Sequence, residues 1–245
     1  MFLVLLGATG AGGVAAWWAG EARGPLAYGG VFVFVIAGWL VSLCLHEFGH
    51  AYTAWRFGDH AAAVRGYLSL NPLKYTNPLL SIGLPVLFIA LGGIGLPGAA
   101  VYLHTGFMTP NRRAAVSLAG PMANLVSAVL LLGAAGLWFQ PERLVFWAAI
   151  AALGFLQVTA LVLNLLPIPG LDGYGAVEPY LSPATQRALE PGKQFGFLIL
   201  LVILLAPLPN RWFFKAVFAL CDLTGTPAGL IGIGLDLTRF WAGHL

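Results

Sequence analysis

The sequence predicts an all-α polytopic membrane protein of about six transmembrane helices, with a re-entrant segment and a small β-hairpin or strand near the functional site. Composition is the first reason: 59% of the 245 residues are hydrophobic and 9% are charged, whereas about 25% of the residues in soluble domains are charged. The mean hydropathy of +0.86 is the second. The third is the recurrence of long apolar runs separated by short polar loops.

The net charge of +3 does not indicate a nucleic-acid partner. The twelve Lys and Arg residues are scattered among short loops and form no basic cluster. Such a distribution is typical of the loops that fix the orientation of membrane helices. We therefore expect the lipid bilayer to surround this protein and no nucleic acid to bind it.

The first two spans are predicted at residues 1–20 and 29–55. A signal peptide carries a basic segment ahead of its apolar run, and residues 1–20 have none. We therefore interpret them as a transmembrane helix. The loop that follows the second span contains Val64–Leu70, which could form a short strand. Such a strand could receive an extended peptide by strand addition, and an ordinary connecting loop is the alternative.

Residues 79–103 are apolar but interrupted by glycines and prolines, so we predict a re-entrant segment rather than one straight span. Later spans are predicted at 114–139, about 144–166 and 195–206. A last apolar stretch covers 212–220, and the tail at 225–245 either crosses the membrane or lies on it. The whole chain, 1–245, is expected to form one membrane-embedded domain with its core at about 29–175, while 1–20 and 192–245 supply additional helices.

Residues 46–50 read His-Glu-Phe-Gly-His near the end of the second span. On a helix, His46 and His50 lie one turn apart on one face and can bind one metal ion. Glu47, rotated by about 100°, can lie beside that ion without binding it and take a proton from water. A chance match or a pair of core histidines is the alternative, but ionisable groups inside a membrane are costly and are usually functional.

A catalytic zinc needs a third protein ligand, and Asp172 is the best-placed oxygen donor. Pro167 and Pro169 prevent a regular helix at the end of the preceding span and so fix the position of this carboxylate. Asn124 is a polar group at shallow depth in the span at 114–139. It makes either a single interhelical hydrogen bond or a contact at the site.

If Asp172 joins the two histidines, residues 57–113 must begin and end on one membrane face, here called the active side. Seven basic residues then fall on that side: Arg56, Arg65, Lys74, Arg112, Arg113, Arg187 and Lys193. The loops of the opposite side hold four: Arg23, Arg143, Arg211 and Lys215. This excess favours a cytoplasmic active side.

Three motifs in the right order resemble the site-2 protease family of intramembrane zinc metalloproteases. They are His46-Glu47-Phe48-Gly49-His50, then Ala119-Gly120-Pro121 with Asn124, then Asn164-x-x-Pro167-x-Pro169-x-x-Asp172-Gly173. The resemblance covers roughly residues 29–205. In the commoner form of the third motif, proline directly follows the asparagine, whereas Leu165 and Leu166 intervene here.

The resemblance implies one Zn²⁺ per chain, bound by His46, His50 and Asp172, with Glu47 activating water. It implies that Asn164 lies near the bound peptide or the developing oxyanion, and Asn124 is a second candidate for that contact. The implied activity is an intramembrane endopeptidase that cuts a single-pass transmembrane protein, and the compact chain suits a prokaryotic inner membrane.

Two other classes of function compete with this hypothesis. A transporter would carry ionisable residues through several spans, whereas here they gather at one level. A catalytically silent pseudoprotease that binds transmembrane partners would have no need of Glu47. The sequence predicts neither the identity of the substrate nor the oligomeric state.

Overall fold

The computed structural model describes residues 1–74, 86, 89, 103–227 and 229–239, and their regular structure is helical. The α-helices are α1 (Phe2–Ala19), α2 (Pro25–Arg56), α3 (Ala61–Val64), α4 (Pro110–Trp138), α5 (Leu144–Asn164), α6 (Asp172–Val177), α7 (Pro183–Leu189), α8 (Gly196–Leu205), α9 (Pro207–Asp222) and α10 (Leu230–Thr238). Short 3₁₀ turns cover Tyr67–Ser69, Pro72–Lys74, Pro141–Arg143, Glu178–Tyr180 and Glu190–Phe195. The predicted re-entrant segment at 79–103 lies almost wholly outside the described residues.

Among the described residues, 4 helices are long and apolar enough to cross a membrane. They are α1, α2, α4 and α5, the last counted with the 3₁₀ turn before it. Helix α8 has 10 residues and α9 has 16, fewer than the roughly 20 that span the hydrocarbon. The segments 183–195 and 198–205 make a fifth span only if they are joined across a bend of 64°. Six spans are therefore not confirmed.

Helix α5 is the centre of the bundle. It contacts α1, α2, α4, α9 and α10, and 83% of its most apolar 18-residue stretch is buried. Its sequence is apolar on all sides, as expected of a helix with neighbours all around it. Small side chains, among them Ala148, Ala151 and Ala152, are fully buried and allow close approach of the neighbouring helices.

Helices α1 and α2 pack closely through glycine. A Cβ built on Gly12 would lie 2.8 Å from the carbonyl oxygen of Gly30. A Cβ on Gly30 would lie 2.9 Å from the Cβ of Ala15. Because neither position leaves room for a side chain, the two backbones touch, as in other small-residue helix pairs of membrane proteins.

The ends of the four long helices sort to two sides of the bundle. On one side, Val145 N–H donates to the carbonyl oxygen of Gly20 at 3.0 Å, and the Arg143 guanidinium donates to the carbonyl oxygen of Trp17 at 2.9 Å. These bonds join the end of α1 to the start of α5. On the other side, His104 N–H donates to the Asp59 carboxylate at 2.7 Å, just beyond the end of α2. Helix α2 therefore runs from the first side to the second.

The strand predicted at Val64–Leu70 is wrong. Val64 ends α3, and Tyr67–Ser69 form a 3₁₀ turn. Gly66 (φ 77°) and Leu70 (φ 52°) flank this turn in the left-handed region. Two left-handed residues within five positions reverse the chain, so the apolar and polar alternation of this stretch does not produce an extended edge.

Candidate metal centre

Three side chains from two helices converge between α2, α4 and α6. The Nε2 atoms of His46 and His50 are 3.1 Å apart. The Asp172 oxygens lie 3.3 Å from them, Oδ2 beside His46 and Oδ1 beside His50. One ligand atom from each residue falls within 4.8 Å of the other two, so the group could hold one metal ion.

Helix α4 approaches the two histidines through glycines on both sides of the contact. A Cβ on Gly49 of α2 would lie 2.8 Å from the Ala119 carbonyl oxygen. A Cβ on Gly120 of α4 would overlap the Nε2 atoms of both His50 and His46. The space in front of the imidazoles therefore exists because position 120 has no side chain.

Asp172 reaches the histidines because the chain turns sharply after α5. Helix α5 ends at Asn164, and Asp172 is the first residue of α6. Between them, Gly170 adopts φ 99°, a value that favours glycine. Gly173 lies so close to the Leu165 carbonyl that a Cβ would overlap it. The α5–α6 connection is thus folded tightly on itself, with the Asp172 carboxylate aimed at α2.

The other ring nitrogen of each histidine has its own partner. His50 Nδ1 donates to the Val116 carbonyl oxygen at 2.7 Å. His46 Nδ1 is 2.6 Å from Asn124 Oδ1. A histidine that donates through Nδ1 leaves the lone pair of Nε2 free for a metal, and partners of this kind typically orient metal ligands.

The residues fit a metal ion on two further grounds. Asp172 Oδ2 is buried, and its contact with His46 Nε2 at 3.3 Å lacks the geometry of a hydrogen bond. Two imidazole lone pairs and a carboxylate facing each other repel unless a metal ion or a proton lies between them. Two nitrogens and one oxygen make the donor set of a catalytic zinc site with one position left for water.

Glu47 lies beside this group without belonging to it. Its side chain is buried, with 3% of the residue exposed. Its carboxylate is near enough to His46, His50 and Asp172 for the charges to interact. This is the arrangement expected of a proton acceptor next to a metal-activated water.

The two asparagines singled out in the sequence have different surroundings. Asn164 is buried at the end of α5. Asn124 bonds to His46 and donates to Gln157 Oε1 at 2.9 Å, so the interhelical hydrogen bond considered for it is observed. A contact of either asparagine with a substrate stays a prediction.

Sequence reasoning missed two polar residues behind the site. Gln157 of α5 is fully buried, and its Nε2 donates to Ser42 Oγ of α2 at 2.8 Å. The available signal was a glutamine in the middle of an apolar span, because polar side chains at such depth need partners. The partner itself, 115 positions away in the chain, could not be read from local spacing.

The comparisons with known proteins give relatives over nearly the whole chain. "Putative zinc metalloprotease Rip2" of Mycolicibacterium smegmatis is 64% identical over 242 residues, which cover 99% of this chain and 93% of the relative. The protein of the same name in Mycobacterium tuberculosis is 66% identical over the same shares. "Putative zinc metalloprotease YwhC" of Bacillus subtilis is 32% identical over 69% of this chain and 78% of its own length. No family model and no solved structure matches the chain.

Proposed function

Because the chain belongs to the zinc metalloproteases of the site-2 protease type, we propose that it cuts a transmembrane segment of a single-pass, membrane-anchored protein within or near the bilayer. The chain is a zinc metalloendopeptidase and an integral membrane protein. The observation that carries the proposal is the group formed by the buried His46 and His50 with the partly exposed Asp172, beside the buried Glu47 and held among membrane-length helices.

In this proposal, His46, His50 and Asp172 hold one zinc ion, and Glu47 is the general base. Bound zinc supplies a Lewis acid that polarises the scissile carbonyl and makes a nearby water acidic. Glu47 accepts the proton of that water and can return it to the leaving amine. The buried surroundings of Glu47 exclude competing water and strengthen its interaction with the developing charges.

The depth of the site limits the form of the substrate. His46 lies ten positions before the end of α2 at Arg56, which at about 1.5 Å per residue corresponds to roughly 15 Å. A substrate helix has all its carbonyls hydrogen-bonded internally, so the segment to be cut must unwind before a carbonyl reaches the site. Helix-destabilising residues such as Gly and Pro in the substrate span should favour cleavage.

The location we propose is the cytoplasmic side of a prokaryotic inner membrane. Supporting it is the excess of Lys and Arg that the sequence predicts on the active side, seven against four on the opposite side. A loop excess of this kind fixes the orientation of membrane helices.

A binding scaffold without activity is the alternative, and the described geometry does not favour it. A scaffold needs neither a buried carboxylate nor a metal ligand set with a free position. Both are costly in a membrane interior, and the chain holds Glu47 and Asp172 close to the same two histidines.

The test compares membranes from cells that produce the wild-type protein with membranes from cells that produce Glu47→Gln. New peptide termini are mapped by mass spectrometry, and the zinc content of the purified proteins is measured by elemental analysis. We expect termini inside predicted transmembrane segments that depend on the wild-type protein, at least about 100-fold fewer of them in the variant, and equal zinc in both proteins, because the base is removed and no ligand is lost.

Glu142→Gln is the matched control, since Glu142 lies in the 3₁₀ turn at Pro141–Arg143 on the opposite side of the bundle. It should behave as the wild type. Equal cleavage by Glu47→Gln would remove Glu47 from the role of base. Termini that lie only in soluble segments would contradict cleavage within the bilayer.

A further inference from the structure

A line of buried polar side chains runs from the metal centre into the middle of the bundle. His46 contacts Asn124, Asn124 contacts Gln157, and Gln157 contacts Ser42, at 2.6, 2.9 and 2.8 Å. The four residues come from three helices, α2, α4 and α5. Each is at most 6% exposed. Nothing in the proposed chemistry needs the last two members, yet they lie where apolar side chains would cost less.

The line has a direction, which is set at its far end. Ser42 Oγ lies 2.7 Å from the carbonyl oxygen of Gly38. Two oxygens at this distance need a proton between them, and a carbonyl can only accept, so the Ser42 hydroxyl donates to Gly38. Ser42 Oγ is then left to accept, and the group of Gln157 that faces it must be the amide NH₂.

The role of Ser42 as donor to Gly38 determines which atom donates in every hydrogen bond from Ser42 to His46. With its NH₂ on Ser42, Gln157 offers Oε1 to Asn124, so Asn124 must present its own NH₂ there. Oδ1 of Asn124 is then left for His46 and accepts the proton of Nδ1. The lone pair of His46 therefore lies on Nε2, the atom that faces His50 and Asp172.

His46 needs such a line, whereas His50 does not. The partner of His50 Nδ1 is the backbone carbonyl of Val116, which has no donor to exchange for its acceptor. The partner of His46 is a side-chain amide, which can rotate by 180° and offer NH₂ in place of oxygen. A rotated Asn124 would favour the wrong tautomer of His46, with a proton on Nε2.

Gln157 and Ser42 oppose that rotation. If Asn124 turned, its Oδ1 would face Gln157 Oε1, and Gln157 would have to turn as well. The Oε1 of Gln157 would then face Ser42 Oγ, whose proton is already used by Gly38. Each step leaves a buried polar group without a partner, at about 1–3 kcal/mol.

We propose that Gln157 and Ser42 are positioning residues that lock Asn124, and through it His46, in the tautomer that binds zinc. This inference rests on the proposed metal site. The structure assigns to these residues no contact with substrate or metal. They act by fixing which nitrogen of His46 carries the proton, as partners behind metal ligands do in other sites.

The test measures zinc affinity by competition with a chelator on the full-length purified protein, together with the His46 tautomer from ¹⁵N chemical shifts. Gln157→Leu and Ser42→Ala should each weaken zinc binding by about 10-fold or more, with Nδ1 of His46 no longer uniformly protonated. Gln157→Glu should restore near wild-type affinity, because a neutral carboxylic acid keeps the acceptor toward Asn124 and the donor toward Ser42.

Thr159→Val is the matched control. Thr159 is fully buried on the same helix, and its hydroxyl donates to the Phe155 carbonyl at 2.9 Å, away from the line. Its zinc affinity should equal that of the wild type. Thermal unfolding of the metal-free proteins identifies a variant that merely fails to fold, and in that case Ser42→Ala and Gln157→Glu decide.

The results separate two failures. Wild-type zinc affinity and an unchanged His46 tautomer in both Gln157→Leu and Ser42→Ala would overturn the positioning role while leaving the proposed protease intact. Equal losses in Thr159→Val would overturn it too, because any buried polar group of α5 would then matter. A wild-type protein that binds no zinc would overturn both proposals.

Discussion

Gly120 shows how a single residue decides whether the metal centre can exist. A Cβ at this position would overlap both imidazoles at the atoms that face Asp172. The backbone of α4 also comes close to α2 at Gly49, so moving the helices apart would lose this close packing. An added methyl group must therefore enter the space that we assign to the metal.

We expect Gly120→Ala to lose zinc while the protein still folds. The methyl group competes directly with the ion, whereas alanine favours the helix by roughly 1 kcal/mol relative to glycine. Elemental analysis of the purified protein measures the loss. Gly133→Ala on the same helix is the control, since a Cβ there meets nothing within 4 Å, and it should keep its zinc. Full zinc in Gly120→Ala would place the metal elsewhere.

For individual residues, the sequence predicted the pair that local helix spacing brings together. It missed the pair that meets only when two separate helices pack. His46 and His50 share a helical turn, so their pairing follows from helix geometry. Asp172 could be predicted because two prolines prevent a regular helix at the end of the preceding span. Ser42 and Gln157 are adjacent only after α2 and α5 pack, so no local pattern identifies the pair.

Among the elements, α2 has two functions in its two halves. Its first half packs against α1 through Gly30, and its second half carries the histidines. The α1–α2 contact depends on backbone touching backbone, because lipid provides little hydrophobic drive for two helices to associate. A side chain placed in that contact must therefore push the helices apart.

We expect Gly12→Val to destabilise the protein by about 1–3 kcal/mol, the usual range for overpacking. The Cβ alone would lie 2.8 Å from the Gly30 carbonyl oxygen. Thermal unfolding in detergent measures the effect. Gly10→Val on the same helix meets nothing within 4 Å and is the control. Equal unfolding temperatures for the two variants would show that α1 does not pack on α2 as described.

Element prediction from the sequence succeeded for long apolar runs and failed for short ones. The predicted spans at 114–139 and 144–166 correspond to α4 and α5. A long apolar run in a membrane forms a helix, because a helix satisfies all its backbone hydrogen bonds internally. Residues 64–70 alternate as a strand would, but seven residues are too few to separate a strand from a turn. Residues 196–222 divide at Ala206 and Pro207 into two helices, each shorter than a span.

For the whole molecule, the arrangement of helix ends places the site nearer to one side of the bundle than to the other. The end of α2, the start of α4 and Asp172 all lie on the active side, while the α1–α2 and α4–α5 connections lie on the opposite side. Hydrolysis consumes water, and the active side is the nearer source, because His46 lies closer to Arg56 than to the start of α2 at Pro25. Which compartment that water comes from depends on the orientation of the bundle.

Single cysteines at Gly106 and Ala22, both exposed, report that orientation when the two native cysteines are first replaced. Gly106 follows α2 on the active side, and Ala22 lies in the α1–α2 connection on the opposite side. Since the loop charges favour a cytoplasmic active side, a membrane-impermeant maleimide should label Ala22→Cys from outside the cell. It should label Gly106→Cys only in inverted vesicles.

Two other labelling patterns would have different consequences. The reverse pattern would keep the fold and turn the site toward the outside, so that the charge excess would no longer explain the orientation. Labelling of both positions from one side would contradict the passage of α2 across the membrane, because the bond from His104 N–H to the Asp59 carboxylate holds the loop of Gly106 at the end of α2 that lies away from Ala22. Cysteine labelling therefore determines which compartment the active side faces, and it needs no knowledge of the substrate.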